Sequence, residues 1–269
     1  MRVELDDLPI DSWEKFLRSR DLIQLLSESP RTVTEPVLEI GCGNGHLTKM
    51  LRRKFNMVVP TDVNPRGKVE GLCIVDARSL PFQNNYFGTI VSSNVLEHIP
   101  DLPDSLLELK RVLRHDGVMI HTMPTRTWKF LQLALWPVHL IVRIGFPRIA
   151  SRFGSILLSI RRNNSGAGLA SNNKTLSNEH IKPSDLSAVL PGIHGISSTH
   201  MNEWSLFGKY SWIRLFESNG LDVLKTTNLF LHSAYRLLPY RFLGLREWAS
   251  RLGIVSVRGY WISKNQEKK

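Results

Sequence analysis

The densest run of chemically capable residues in this chain is LEIGCGNG, Leu38 to Gly45, in which Gly41, Gly43 and Gly45 alternate with other residues behind an acid, Glu39. Glycines placed where a strand meets a helix let the backbone approach a ligand closely. The helix that follows offers free N–H groups and a positive dipole end, suited to a carboxylate or phosphate. A dinucleotide loop of the GxGxxG kind would need glycine at the next position, which is His46. Two further acids, Asp62 in MVVPTD and Asp76 in LCIVD, end short apolar runs, and Asn94 ends FGTIVSSN. His98, His121, His200 and Glu203 are the side chains able to take up a proton from an acceptor group.

The elements that must position these residues are legible from periodicity. PVLEI reads as a strand that runs through the glycines into a helix, HLTKMLRRKF. The unit repeats through MVVPTD, LCIVD and FGTIVSSN to the amphipathic helix SLLELKRVLR and the strand GVMIHTM. Strands alternating with helices imply a parallel sheet with crossover helices, hence a doubly wound α/β domain. Ligands bind such sheets beyond the carboxyl ends of the strands, where Asp62, Asp76 and the glycine loop all fall. Before this region, residues 11–28 carry a helical apolar pattern that Pro30 stops; after it, YSWIRLFESNG, LDVLKTTNLF and GIVSVRGYWISK predict a helix, a strand and a final strand.

As a set, these motifs resemble the class I S-adenosylmethionine-dependent methyltransferases of small-molecule and lipid type, over about 36–124 and again near 200–263. GxGxG behind an acid resembles the family's first motif, TDVNP its second, VDARSLPF its third, and FGTIVSSNVLEHI its fourth. The resemblance implies a Rossmann-like, mostly parallel, seven-stranded sheet with helices on both faces and a helical insertion before the last strands. It implies S-adenosylmethionine as cofactor, held by Glu39, Gly41, Cys42, Gly43, Gly45, Asp62, Val63, Asp76, Ala77 and Asn94. Asp62 would bond the ribose hydroxyls, Asp76 and Ala77 the adenine edge, and Asn94 would lie beside the methionine end. Two positions depart from the pattern: Gly88 stands where many relatives have Asp, and His115-Asp116 replaces Pro-Gly in the turn before Gly117.

Methyl transfer is an in-line displacement at a sulfonium carbon, so alignment and exclusion of water come first. A base is needed only where the acceptor must lose a proton, and His121 and His200 are the expected candidates, ahead of His98 and Glu203. No metal ligand set is read from the sequence, and Cys42 and Cys73 read as small buried residues in a reducing compartment. The alternatives are a nicotinamide-binding or non-catalytic Rossmann protein, or a nucleic-acid methyltransferase. SSNVLEH lacks the paired prolines and aromatic that amino-directed nucleic-acid enzymes of this fold usually carry at the fourth motif.

Charge divides the chain. The formal net charge is +11, yet residues 117–178 hold eight basic and no acidic side chains, and residues 225–269 hold nine against two. This concentration predicts a positive face toward an anionic partner. The expected organisation is an N-terminal helix in 1–30, a cofactor domain of 31–124 plus 199–269, and a basic insertion, 125–198, for substrate or membrane contact. Within the insertion, Ile149, Phe153, Ile156, Leu157 and Ile160 form an apolar helical stripe flanked by arginines, the pattern of a helix that packs on its own domain or a second subunit, or lies on an anionic membrane. Lys129, His139, Arg143 and Pro137 interrupt the apolar run of 128–146, which argues against a membrane span. The acidic, leaderless start predicts a cytoplasmic protein; the basic segments add a peripheral place at the inner face of the membrane, and the resemblance implies a small-molecule, lipid-linked or glycan acceptor.

Overall fold

The computed structural model describes residues 13–139, 191–231 and 243–265. Seven strands form one sheet in the order β3-β2-β1-β4-β5-β7-β6. They are β1 (Val37–Ile40), β2 (Val58–Asp62), β3 (Cys73–Ile74), β4 (Phe87–Ser93), β5 (Leu113–Pro124), β6 (Leu221–Asn228) and β7 (Val257–Lys264). β1 through β5 pair in parallel, and β7 lies antiparallel between β5 and β6. The helices are α1 (Trp13–Ser27), α2 (His46–Lys54), α3 (Leu102–Val112), α4 (126–139), α5 (His200–Leu206), α6 (Lys209–Ser218) and α7 (Leu243–Arg251).

Successive side chains of a strand point to opposite faces, and the sheet uses this to build two cores. Ile90, Met119, Met123, Tyr260 and Ile262 face α3 and α6 through Leu106, Leu109, Trp212 and Phe216. Val91, Val118, Ile120 and Trp261 face the opposite way, toward α1 and α2 through Leu22, Leu25, Met50 and Leu51. The indole N–H of Trp261 donates to the Leu25 carbonyl at 3.0 Å, fixing α1 to the sheet. Burial on both faces explains why the central strands read as apolar runs rather than alternating ones.

Two local expectations are corrected. LCIVD yields only the two-residue edge strand β3, where Ile74 stays exposed, as befits a shortened edge. His115 and Asp116 do not form a turn before the fifth strand but lie within β5, and a register shift opposite Phe87 and Thr89 absorbs them. The sheet and its helices form one compact unit, Met1–Phe130 with Ile193–Lys269, while Leu131–Gly192 groups separately. The arginine-flanked stripe of 149–160 lies outside the described residues. Among the described residues no helix is long and apolar enough to cross a membrane.

The packing also explains Gly88. A Cβ there would stand 2.2 Å from the Thr34 hydroxyl and 2.7 Å from its carbonyl oxygen, so no side chain fits without moving backbone. Gly88→Asp is expected to destabilise the fold by about 3 kcal/mol, from overpacking and a buried charge. Urea unfolding measures it, and an unchanged midpoint would contradict this packing.

Candidate active site

The glycine loop leaves β1 with all three glycines at positive φ: 71° at Gly41, 56° at Gly43 and 74° at Gly45. Val95 and Val69 pack so closely over Gly41 and Gly45 that an added Cβ would come within 2.5 and 2.7 Å of them. At Gly43 the same position meets nothing within 4 Å, so this glycine faces open space. The Gly43 N–H donates to Asp62 Oδ2 at 2.7 Å, which ties the loop to the tip of β2. Asp62 Oδ1 accepts from Asn64 N–H at 2.8 Å. An ionised carboxylate has about four lone-pair positions, so two remain for ligand hydroxyls.

Asp76, just beyond β3, is clasped by Arg78, whose Nη2 lies 2.7 Å from Oδ2 and whose Nε lies 3.1 Å from both oxygens. These bonds hold the Asp76 carboxyl below its usual range. Arg78 also reaches Asp101 at 3.2 Å. Between the two acids, Val63 is 70% exposed and Ile74 67%, leaving an uncovered apolar surface at the strand tips.

Glu39 lies under the loop and is buried. Burial pushes its carboxyl up to about 7, against the opposing hydrogen bond from the Thr48 hydroxyl at 2.6 Å. Asn94, at the end of β4, holds a left-handed φ of 52°, donates its N–H to the Thr122 carbonyl at 3.0 Å, and keeps a buried Oδ1 with no hydrogen-bond partner among the described residues. An open glycine, two acids at neighbouring strand tips and an orphaned acceptor fit an adenosyl group carrying a cationic amino acid. Ala77 sits beside Asp76, half-buried against the core. Cys42 is buried, with its thiol pushed up to about 12, so only its backbone is suited to ligand contact.

Sheet order and loop together define the class I S-adenosylmethionine-dependent methyltransferase fold. Residues 13–226 match the family model of the methyltransferase domain. The mitochondrial arginine-hydroxylase of Mus musculus is 33% identical over 95 residues, 32% of this chain and 28% of that one. A ubiquinone biosynthesis O-methyltransferase of Mesorhizobium japonicum is 28% identical over 133 residues, 45% of this chain and 53% of that one. The chain thus spans about half or less of these relatives' length. A putative S-adenosylmethionine-dependent methyltransferase from Listeria monocytogenes shares the fold with a TM-score of 0.51 at 12% identity, over 94% of this chain and 99% of that one. The chain belongs to the methyltransferase domain family, whose cofactor is S-adenosylmethionine.

The proton-handling candidates are placed less favourably. His121 is fully buried in β5, paired with Ser92 on one side and Tyr260 on the other, its Nδ1 2.7 Å from the Ser92 hydroxyl. Burial lowers its pKa to about 3, so it packs the sheet as a neutral ring, contrary to its expected role as a base. Glu203 is buried in an ion pair with Lys129, which removes it as well. Half-buried His200 keeps its Nδ1 3.9 Å from Glu203 Oε2. His46, where a dinucleotide loop would carry glycine, places Nε2 2.7 Å from the Ser19 hydroxyl and 3.2 Å from the Lys15 carbonyl, tethering α1 to α2. Sequence reasoning missed Glu97 and His194, which meet His98 beyond β4. The tight LEH run was a signal for Glu97, and nothing in the sequence singled out His194.

The raised Glu39 carboxyl has a stability consequence with a definite sign. The folded state holds a proton that the unfolded chain releases above about 4.5, so this contribution is lost as pH rises from there to about 7. Relative to the wild type, Glu39→Gln is expected to gain about 3 kcal/mol between pH 4.5 and 8. Denaturant melts at both pH values measure this, and a pH-independent difference would refute it.

Proposed function

We propose that the protein transfers the methyl group of S-adenosylmethionine to a small-molecule acceptor of apolar or lipid-linked character. The observation that carries this reading is the convergence of open Gly43, Asp62, Asp76 and the unpartnered Asn94 Oδ1 at the carboxyl ends of adjacent strands. When bound, S-adenosylmethionine supplies a methyl carbon already activated by a sulfonium sulfur. The remaining lone pairs of Asp62 accept from the ribose hydroxyls, and Asp76 with Ala77 meets the adenine edge beside the apolar faces of Val63 and Ile74. Asn94 Oδ1 would receive the ammonium, and Glu39 beneath the loop, whose carboxyl is held up to about 7 by burial, would complete the charge pair by giving up its proton as that cation binds. Gly41 and Gly45 act through the backbone they permit, since Val95 and Val69 already cover them.

The resemblance to an O-methyltransferase of ubiquinone biosynthesis supports a small-molecule acceptor. Among the base candidates of the sequence, His200 and His98 both combine partial exposure with a ring nitrogen lacking a hydrogen bond among the described residues, whereas His121 and Glu203 are fully buried. Isothermal titration with S-adenosylhomocysteine tests the cofactor site. The wild type is expected to bind, and Asp62→Ala to bind about 10- to 100-fold more weakly, the loss of charged hydrogen bonds. Equal affinity of the two, or no binding by the wild type, would contradict the reading.

We infer further that the protein works at the inner face of an anionic membrane. Leu245 and Trp248 of α7 and Leu252 just past its C-terminus are exposed at helical spacing beside Arg251, in the basic C-terminal segment. Trp at such a stripe favours an interface, and arginine favours anionic headgroups. Flotation with anionic liposomes at low salt is expected to carry the wild type upward, and Trp248→Ala with Leu252→Ser to reduce the floated fraction several-fold. A wild type that stays in the dense layer contradicts a peripheral role.

A further inference from the structure

Beyond β4 the chain makes a 3-10 turn, Leu96–His98, that places Glu97 and His98 side by side. The Glu97 side chain is fully buried, and neither of its oxygens has a hydrogen-bond partner among the described residues. Facing the same oxygen, Oε1, are two imidazole nitrogens: His98 Nε2 at 3.9 Å and His194 Nε2 at 3.7 Å. One ligand atom from each of the three residues lies within 4.8 Å of the others.

His194 is held in this position by its backbone. Its N–H donates to Glu203 Oε1 at 2.8 Å, and Glu203 is anchored by Lys129. Two residues on, the Ile196 N–H donates to the Glu97 carbonyl at 3.2 Å. Gly195 between them has φ 87°, and a Cβ there would stand 2.4 Å from that carbonyl oxygen. The His194 ring lies 4.5 Å from the His98 ring and 4.6 Å from Trp128, centroid to centroid.

A buried carboxylate needs compensation, by hydrogen bonds, an opposite charge or a metal. Hydrogen bonds from the two rings would bring the nitrogens to about 2.7–3.2 Å, whereas both stand further off and converge on one oxygen. Two imidazolium groups this close would also repel each other. Ligand atoms about 2.0–2.2 Å from a shared tetrahedral ion lie roughly 3.3–3.5 Å apart, so a shift of a few tenths of an ångström brings each imidazole nitrogen to that spacing from Oε1, and the two nitrogens already lie within 4.8 Å of each other. The His98 and His194 side chains are 45% and 32% exposed, so the cluster is closed on its carboxylate side and open on its imidazole side.

We propose that Glu97, His98 and His194 bind a divalent transition-metal ion of the zinc type, with at least one coordination position left for water or an exogenous oxygen ligand. Two imidazoles with one carboxylate suit zinc and its neighbours, whereas magnesium and calcium prefer oxygen ligands throughout. An ion held three residues from Asn94 would act as a Lewis acid on an acceptor hydroxyl. That last step rests on the methyl-transfer reading; the ligation itself does not.

The test is titration of the purified full-length protein with Co²⁺ alone, read by its visible d–d bands, with Zn²⁺ content after equilibrium dialysis as a second measure. One equivalent is expected. His194→Ala and Glu97→Gln should each weaken binding at least about 100-fold, while exposed His115→Ala binds as the wild type. Glu97→Gln keeps the side chain's shape, so it decides the matter if His194→Ala fails to fold. It should also lose the metal-induced rise in Tm that the wild type shows. A wild type that takes up no metal, or a Glu97→Gln protein that binds equally well, overturns the proposal. S-adenosylhomocysteine titration of the same samples reads the cofactor site separately, so failure of one reading is distinguishable from failure of the other.

Discussion

One hydrogen bond organises the cofactor end of the molecule, from the Gly43 amide to the Asp62 carboxylate. It links the loop after β1 to the tip of β2, and Asp62 can play this part only because β1 and β2 pair in parallel, Ile40 opposite Thr61. The same register lets the Gly41 and Cys42 amides donate to the Thr61 carbonyl at 2.8 and 2.9 Å. The loop is therefore shaped before any ligand arrives, and pre-formed donors and acceptors lower the ordering cost of binding. Three positive φ values follow from this shape, and glycine is the residue that accepts them without steric cost.

This constraint also explains what the sequence made visible. Tight loops and strand ends impose residue types over short spans, so Glu39, the three glycines, Asp62, Asp76 and Asn94 were legible, as were α2, α3, α6 and the final strand. The two-core sheet was legible for a related reason, because strands buried on both faces leave continuous apolar runs such as FGTIVSS.

Other features depended on distant partners. His121 looked like a strand-end base, but β7 lies alongside β5 and brings Tyr260 opposite it, while Phe216 stacks on its ring from α6. Nothing near His121 in the chain announces either neighbour. Glu97 and His194 are likewise nearly a hundred residues apart, and their meeting depends on Gly195 and Ile196 closing onto the Glu97 carbonyl. The departure at Gly88 needed Thr34 to explain it, again across a strand boundary.

The most direct measurement is a crystal structure of the protein soaked with S-adenosylhomocysteine. The account requires its ribose at Asp62, its adenine between Asp76 and the exposed faces of Val63 and Ile74, and its ammonium within hydrogen-bond reach of Asn94 Oδ1. Ligand density at any other place, or Asp62 and Asn94 retaining their present contacts beside an empty loop, would contradict it.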